Sequence, residues 1–149
     1  IYDLKCMTGI LFNHESNLRP KTFVTQKIVK TAQEIKRYKK KKLIIGNIDI
    51  FRDWGWAPEY VNAIQLISES HIIKDYVICT GKANSLKAFI QKVFTKLELD
   101  WEEFTTINEN LFRASDVKRS CGDPTPLSEE LGWKAKVNFE SIIERMLDQ

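Results

Sequence analysis

The sequence predicts an α/β fold, in which short buried strands alternate with amphipathic helices. Short apolar runs, such as residues 9–12 and 76–79, have the length and composition of buried strands. Between them, apolar residues recur every three or four positions, which is the spacing of one helix face. The 149 residues are 43% hydrophobic and contain no internal repeat or low-complexity linker. We therefore expect one α/β unit spanning residues 1–149.

The first half of the chain contains two predicted strands and two predicted helices. The strands are at 9–12 and 43–45, and the helices are at about 22–40 and from near 58. A polar stretch at 13–16 follows the first strand, and a turn at 53–55 precedes the second helix. Pro58 suits the first turn of a helix, where a missing backbone N–H leaves nothing unpaired. We expect this helix to turn Val61, Ile64 and Ile67 toward the core.

The second half contains the clearest helix signal of the sequence. Its predicted elements are a strand at 76–79, a helix capped by Asn84 or Ser85, a strand near 104–107, a short helix at about 126–131 and a last helix capped by Asn138. The apolar stripe of the first of these helices comprises Leu86, Phe89, Ile90, Val93, Phe94 and Leu97. Gly132 is a natural end for the short helix. The last helix is predicted to bury Phe139, Ile142, Ile143 and Met146.

Charge gives little support to a nucleic-acid partner. The formal net charge is +3, and residues 36–42 alone contribute six positive side chains. A basic run at a predicted helix end is usually solvated and interacts favourably with the helix dipole. No second basic cluster or aromatic platform accompanies it, so we expect no nucleic-acid binding. No apolar run has the length of a membrane span, so we expect no membrane partner either.

The glycine and cysteine positions exclude several common sites. The six glycines are at least nine residues apart, which excludes both the dinucleotide-binding and the triphosphate-binding glycine loops. Cys6, Cys79 and Cys121 are odd in number and widely spaced, which favours reduced thiols in a cytoplasmic protein. No set of Cys, His and carboxylate residues has the spacing of metal ligands, so we expect no metal site.

Three polar residues stand out as candidates for binding. His14 follows a predicted strand, at the position where α/β sheets bind ligands, and a loop residue capping backbone groups is the equal alternative. Arg52 and Arg113 are lone arginines among apolar or turn residues, a setting in which arginine often binds carboxylate or phosphate. An internal ion pair of Arg52 with Asp53 or Asp123 is the slightly favoured alternative. His71, beside two isoleucines, is predicted to be structural or exposed.

A long series of segments resembles the GDP-mannose 4,6-dehydratase family, in family order and at family spacing. The segments are Gly9-Ile-Leu-Phe-Asn-His-Glu-Ser16, Thr22-Phe-Val-Thr-Gln-Lys-Ile28, Gly46-Asn47, Arg52-Asp-Trp-Gly55, Asp75-Tyr-Val-Ile78, Thr80-Gly81, Leu99-Asp-Trp101, Phe112-Arg113, Gly122-Asp-Pro124 and Leu131-Gly-Trp-Lys134. Together they cover the chain from about residue 9 to its end.

This resemblance implies the C-terminal part of an extended short-chain dehydrogenase/reductase. The part comprises the last strands of a Rossmann-type sheet and a small α/β substrate-binding domain. The family binds NADP and converts GDP-mannose to GDP-4-keto-6-deoxy-mannose, a precursor of fucose and related deoxysugars. It does so by internal hydride transfer and elimination of water.

The resemblance also implies site residues. His14 and Arg19 match family positions that contact NADP. The positions around the nucleotide-sugar are matched by Asn13, Lys27, Arg52 and Arg113, and by Asp116 where the family usually has a glutamate facing ribose hydroxyls. Lysine and arginine are suitable donors for a diphosphate, because each supplies positive charge and hydrogen bonds.

The sequence departs from the family pattern in one loop and at two further places. Asn17 and Leu18 replace a usual Pro and Arg, Gln26 replaces a usual arginine, and Ala114-Ser115 replaces a usual proline-containing pair. In the family the first of these loops reaches the cofactor site of a neighbouring subunit. The changes therefore bear on the tetramer contact and on NADP binding.

The family's glycine-rich NADP loop, its catalytic Thr and Glu and its Tyr-x-x-x-Lys lie upstream of the position matching Ile1. We therefore expect no catalytic residue in this chain, no turnover by it alone, and an N-terminal Rossmann half as its partner within a dimer or tetramer. Two alternatives remain open. One is a related nucleotide-sugar dehydratase, epimerase or reductase, and the other is a non-catalytic nucleotide-sugar-binding module.

Overall fold

A computed structural model describes residues 2, 4–39 and 41–148, and within them the chain forms eight short strands, six α-helices and one 3-10 turn. The strands are β1 (Gly9–Leu11), β2 (Asn13–Glu15), β3 (Leu43–Ile45), β4 (Phe51–Trp56), β5 (Tyr76–Ile78), β6 (Ala83–Ser85), β7 (Thr105–Ile107) and β8 (Arg119–Ser120). The helices are α1 (Val24–Tyr38), α2 (Ala57–Glu69), α3 (Leu86–Lys96), α4 (Trp101–Phe104), α5 (Thr125–Leu131) and α6 (Phe139–Leu147), and the 3-10 turn is Glu109–Leu111.

Strand β4 is the centre of the strand pairing. It pairs in parallel with β2 and β8 and antiparallel with β6. There are two further parallel pairs, β1 with β5 and β3 with β7. Each joins a strand that precedes β4 in the sequence to a strand that follows it. Parallel pairs need crossover connections, and the helices between the strands provide them. This mixture of parallel strands and helices is the predicted α/β class.

A large hydrophobic cluster lies between α1, α3 and α6 and the strands β3 and β4. Its fully buried side chains include the predicted stripe of α3, with Phe89, Ile90, Val93 and Phe94 at 0% exposure. Leu97, the last residue of that stripe, is partly buried against the same cluster. The predicted inner face of α6 also packs here, with Ile142, Ile143 and Met146 buried and Phe139 partly buried.

A smaller cluster joins α2 and α5 to strand β5. It comprises Tyr60, Ala63, Ile67, Tyr76, Ile78, Leu127 and Trp133. The Trp133 indole donates a hydrogen bond from Nε1 to the backbone oxygen of Glu59 at 3.2 Å, and its ring meets the ring of Tyr60 edge to face. These contacts fix the orientation of α2 on the sheet.

Helix ends follow the predicted capping residues. Ser85 accepts a hydrogen bond from the backbone nitrogen of Ala88 at the start of α3, and Asn138 accepts one from Ser141 at the start of α6. Gly132 ends α5 with φ of 70°, a left-handed conformation that favours glycine. The predicted end of the first helix at Lys40 lies outside the described residues.

Three expectations about the elements are wrong. The predicted turn at 53–55 lies within β4, and the polar stretch after the first strand contains β2. Helix α2 buries Tyr60, Ala63 and Ile67, whereas Val61 and Ile64 are 62% and 44% exposed. The buried stripe of α2 contains Tyr60, whose ring meets that of Trp133 edge to face. The short helix α4 was not predicted.

Candidate functional site

One cleft of about 550 Å³ opens between the N-terminal end of α1, the end of β3, strand β4 and the loop that follows the 3-10 turn. All five residues predicted around the nucleotide-sugar line it: Asn13, Lys27, Arg52, Arg113 and Asp116. Arg19, predicted to contact NADP, also lines this cleft. The folded chain thus brings together side chains that are up to 103 residues apart, from 13 to 116.

Arg52 holds the loop at one wall of the cleft. Its Nη1 donates to the backbone oxygens of Val117 at 2.6 Å and Phe51 at 2.8 Å, and its Nη2 donates to Oδ1 of Asp116 at 2.8 Å. The guanidinium fork therefore ties strand β4 to residues 65 positions later. Neither side chain of the ion pair is fully buried, at 18% and 20% exposure, so both reach the cleft.

Asp53 and Asp123, the ion-pair partners considered for Arg52, are engaged elsewhere. Asp53 is fully buried, and its Oδ1 accepts hydrogen bonds from the backbone nitrogen and hydroxyl of Thr80 at 3.0 and 2.6 Å. Its Oδ2 accepts from the backbone nitrogen of Gly81 at 2.9 Å. Asp123 accepts from the nitrogen of Thr125. An ion pair does form at Arg52, but its partner is Asp116, because the chain returns to β4 at β8.

Asp53 is a structural residue that sequence reasoning missed. Its position next to Arg52 in an aromatic-rich segment, Phe51-Arg-Asp-Trp54, was attributed to a turn. In the structure its carboxylate satisfies the amides of the loop after β5, which fixes that loop against β4. A buried acid in a strand is a signal for such a role, because an unpaired charge there would be costly.

Lys27 and Arg113 supply positive charge to the cleft from two different parts of the chain. Lys27 reaches from α1 to β3, where its Nζ donates to the backbone oxygen of Ile44 at 2.7 Å. Arg113 is exposed, and within the described residues its side chain makes no hydrogen bond or ion pair. With Arg19 and Arg52 these residues place four cations around a single acid, Asp116. The cleft is therefore suited to an anionic ligand.

The apolar floor of the cleft was not predicted from the sequence. Val24, Ile50, Leu86 and Leu111 line it together with Ile45 and Trp54. A β-carbon on Gly46 would lie 2.8 Å from the backbone oxygen of Leu111, so only glycine permits the 3-10 turn to approach β3 this closely. The resemblance pointed to Gly46-Asn47 but assigned no role to it. Charged walls over an apolar floor are typical of sites for amphiphilic ligands.

A second, smaller recess of about 300 Å³ adjoins the cleft. Its lining includes both residues predicted to contact NADP, His14 and Arg19, together with Asn13 and Ser120. His14 lies in β2 rather than in a loop, and its Nδ1 is 2.8 Å from the backbone oxygen of Phe12. Because a carbonyl oxygen can only accept, Nδ1 donates that hydrogen bond, and Nε2 is left for another partner. Asn13 and Arg19 line both spaces and form their shared wall.

Other candidate sites are limited to what the described residues show. Among them, no group of three His, Cys, Asp or Glu side chains is arranged to hold a metal ion. No helix in the described part of the chain is long and apolar enough to cross a membrane. His71 is exposed, which is one of the two alternatives predicted for it. Burial raises the pKa of the Cys79 thiol to about 12, which makes this thiol a poor nucleophile.

Comparison with known proteins identifies relatives along the whole chain. A family model described as GDP-mannose 4,6 dehydratase matches residues 1–146. GDP-mannose 4,6 dehydratase 1 of Arabidopsis thaliana is 39% identical over 148 residues, which cover 99% of this chain and 41% of that protein. The Homo sapiens GDP-mannose 4,6 dehydratase is 32% identical over 163 residues, which cover 98% of this chain and 44% of that protein. The chain thus spans less than half the length of these relatives.

Solved structures confirm the predicted fold class. RMD from Pseudomonas aeruginosa, complexed with NADPH, superposes with a TM-score of 0.86 at 18% identity, covering 97% of this chain and 47% of that one. DesIV, a dTDP-glucose 4,6-dehydratase from Streptomyces venezuelae with NAD and TYD bound, superposes with a TM-score of 0.86 at 17% identity. The match covers 99% of this chain and 44% of that one.

This chain therefore has the fold of less than half of each of these larger proteins. With the family model matching nearly every residue, this chain belongs to the GDP-mannose 4,6-dehydratase family.

Proposed function

We propose that the cleft binds GDP-mannose and that this chain is the substrate-binding part of an NADP-dependent GDP-mannose 4,6-dehydratase. The observation that carries the proposal is that the five residues implied by the resemblance, which are distant from one another along the sequence, all line one cleft. Four cations against one acid suit a nucleoside diphosphate, whose diphosphate is strongly anionic. The apolar floor suits the base of the nucleotide.

Arg113 and Lys27 are the proposed diphosphate donors. Arg113 has all its guanidinium hydrogens available, since no described side chain pairs with it. Lys27 uses one ammonium hydrogen on Ile44 and retains two. Arg52 has most of its donors engaged on the protein and contributes its positive charge and the position of the loop.

Asp116 and Asn13 are the proposed acceptors and donors for the sugar hydroxyls. Asp116 uses Oδ1 on Arg52, so its Oδ2 is available to accept from a ribose hydroxyl. The shorter side chain, where the family usually has glutamate, is brought to the cleft by the Arg52 pair. Asn13 lies between the cleft and the recess, and we assign it to the junction of the diphosphate and the second sugar.

The recess fits part of a nicotinamide cofactor. His14 offers a ring nitrogen and Arg19 a cation, which match a cofactor that carries hydroxyl and phosphate groups. When bound, NADP supplies the hydride acceptor and donor of a 4,6-dehydration. In this chain, His14 and Arg19 would hold one side of the cofactor and Asn13 would keep the nucleotide-sugar beside it.

The groups that move protons in the reaction are proposed to lie upstream of Ile1, so the chain alone should bind ligand without turnover. Exposed apolar side chains support an upstream partner segment: Ile10 and Leu11 on β1 and Val61 and Ile64 on α2 are 41–62% exposed. We assign them to the contact with the N-terminal Rossmann half. Assembly into a dimer or tetramer and a cytoplasmic location remain predictions, for gel filtration and cell fractionation to test.

Ligand titration of the 149-residue chain tests the binding part of the proposal. We expect calorimetry to detect GDP, and Arg113→Ala to weaken it by about tenfold or more, since a hydrogen bond to a charged group contributes about 1.5–3 kcal/mol. Lys82→Ala is a matched control, because Lys82 is an exposed cation that does not line this cleft. GDP binding that is absent, or insensitive to Arg113→Ala, would contradict the proposal.

Two further measurements separate the alternatives. Competition by UDP and dTDP against GDP distinguishes a related nucleotide-sugar enzyme, for which one of them would bind more tightly. The longer protein that includes the upstream region should form a keto sugar from GDP-mannose. If that protein folds and binds NADP but forms no keto sugar, the non-catalytic binding module becomes the better description.

A further inference from the structure

Glu15 is a buried acid that the proposed site does not use directly. It lies in β2 at 1% exposure, and its Oε2 accepts a hydrogen bond from the hydroxyl of Thr25 at 2.7 Å. The Arg19 Nε lies 3.5 Å from the same oxygen. A buried carboxylate carries a large desolvation cost, and this burial raises the pKa of Glu15. Stability alone would favour an apolar residue here.

Arg19 is fixed on two sides. Besides the Glu15 carboxylate, the Phe23 ring lies against it, with the guanidinium carbon 3.7 Å from the ring centroid. The Nε atom is buried and makes no hydrogen bond within the described residues. The two terminal amino groups are therefore the polar atoms left to face the cleft and the recess, both of which Arg19 lines.

We propose that Glu15 is a positioning residue that, with Phe23, holds the Arg19 guanidinium at the wall shared by the two spaces, where it binds a phosphate group of the ligand in the cleft. The inference rests on the proposed function for the ligand, since that function places a diphosphate there. It extends the role of Arg19 from the recess to the cleft. It also assigns the buried Glu15–Thr25 pair a role in ligand binding.

The variant Glu15→Gln separates the effect of positioning Arg19 from the effect of removing a negative charge near the ligand. The amide keeps the size of the side chain and one acceptor for Thr25, but it removes the negative partner of Arg19. Losing a nearby negative charge by itself strengthens anion binding, whereas a misplaced Arg19 weakens it. Glu109→Gln measures the charge effect alone, because Glu109 is an exposed acid on the 3-10 turn beside the cleft and does not contact Arg19.

The experiment measures GDP affinity by calorimetry and the exchange rate of the Arg19 Nε–H by NMR in the 149-residue chain. We expect Glu15→Gln to weaken GDP about tenfold, because a guanidinium that is no longer held does not present its paired donors. We also expect faster Nε–H exchange, because without the Glu15 charge the buried Nε–H becomes accessible to water. Glu109→Gln should leave Nε–H exchange unchanged and should not weaken GDP binding, because it removes a negative charge without displacing Arg19. In an Arg19→Lys background, Glu15→Gln should cause no further loss of affinity.

Each outcome decides the inference. Weaker GDP binding that disappears in the Arg19→Lys background supports it, provided that thermal melting shows Glu15→Gln to be folded. Unchanged GDP affinity overturns it. If the unaltered chain does not bind GDP, the proposed function fails, and the Nε–H exchange rate alone then decides whether Glu15 positions Arg19. If Glu15→Gln does not fold, Phe23→Leu tests the other support of Arg19 by the same two measurements.

Discussion

The two hydrophobic clusters differ in how completely the described residues cover them. The large cluster is enclosed by α1, α3, α6, β3 and β4, and its central side chains are fully buried. The small cluster is covered on one side by α2 and α5, while β1 exposes Ile10 and Leu11, and α2 exposes Val61 and Ile64. Parallel strands are normally covered on both faces, so the small cluster lacks a layer that the large one has.

This difference shows which part of the chain can stabilise itself. The large cluster is enclosed by helices and strands that this chain itself supplies. All the proposed nucleotide-sugar residues lie around the cleft beside it. The small cluster holds the fragment of the sheet that the proposed N-terminal half would extend. The comparison makes different predictions for substitutions in the two regions.

The largest expected effect is in the enclosed cluster. Phe89 is 0% exposed and packs against the ring of Trp54, with 5.5 Å between the ring centroids. Phe89→Ala should reduce the free energy of unfolding by about 3–5 kcal/mol, because it leaves a cavity that the helices cannot close. Val61→Ala on the exposed face of α2 should change it by less than about 0.5 kcal/mol. Similar losses in urea unfolding would contradict the distinction.

Asp53 should show the next largest effect, because it links the two regions. It lies in β4, and its carboxylate binds the loop that follows β5. Asp53→Asn places an amide against backbone N–H donors, which should cost about 2–3 kcal/mol. Asp49→Asn, at an exposed position, is the control and should be neutral in the same unfolding measurement. A neutral Asp53→Asn would mean that the loop is held by other contacts.

Helix capping gives a smaller effect within the enclosed region. Ser85→Ala removes the hydroxyl that accepts from Ala88 at the start of α3 and should cost about 1 kcal/mol. Ser85→Asp keeps an acceptor and should retain most of the stability. The small cluster offers a contrast, since α2 and α5 have no side-chain cap. Equal melting temperatures for Ser85→Ala and Ser85→Asp would show that the cap contributes nothing.

The smallest expected effect is a pH dependence from Glu15. Burial raises its pKa, with the Thr25 hydrogen bond and the Arg19 charge acting in the opposite direction. The folded state therefore holds this proton more tightly than the unfolded state does. The associated stability is present below the unfolded pKa and is lost as the pH rises through the folded pKa.

Comparison with Glu15→Gln isolates this effect from the other acids. The unaltered chain should lose stability relative to the variant as the pH rises above the unfolded pKa of about 4.3, because only the carboxyl ionises. Paired thermal melts at several pH values measure the difference. A difference that stays constant with pH would show that the pKa of Glu15 is unchanged by folding.

Local signals in the sequence predicted three helices well, namely α3 and α6 in the enclosed region and α5 in the small cluster. The stripe from Leu86 to Leu97 is regular, and Ser85, Asn138 and Gly132 are strong capping or ending residues, so α3, α5 and α6 needed no tertiary information. The same signals failed at Asp53 and Gly55. Both are common turn residues, yet Asp53 is paired through its carboxylate, and Gly55 is required because a β-carbon there would clash with Tyr60. Both contacts are long range or cross between elements.

The sequence by itself determined the α/β class, the capped helices and, through family resemblance, the set of polar residues that line the cleft. The tertiary structure decided how those residues relate to one another. It paired Arg52 with Asp116 rather than Asp53 or Asp123, left Arg113 unpaired among the described residues, and placed Glu15 behind Arg19. For the Arg52 pair the physical reason is range: periodicity and caps act over one or two helical turns, whereas Arg52 and Asp116 meet only because the chain returns to β4 at β8. Glu15 and Arg19 are four residues apart, and their arrangement depends on the burial of Glu15 and on its hydrogen bond from Thr25.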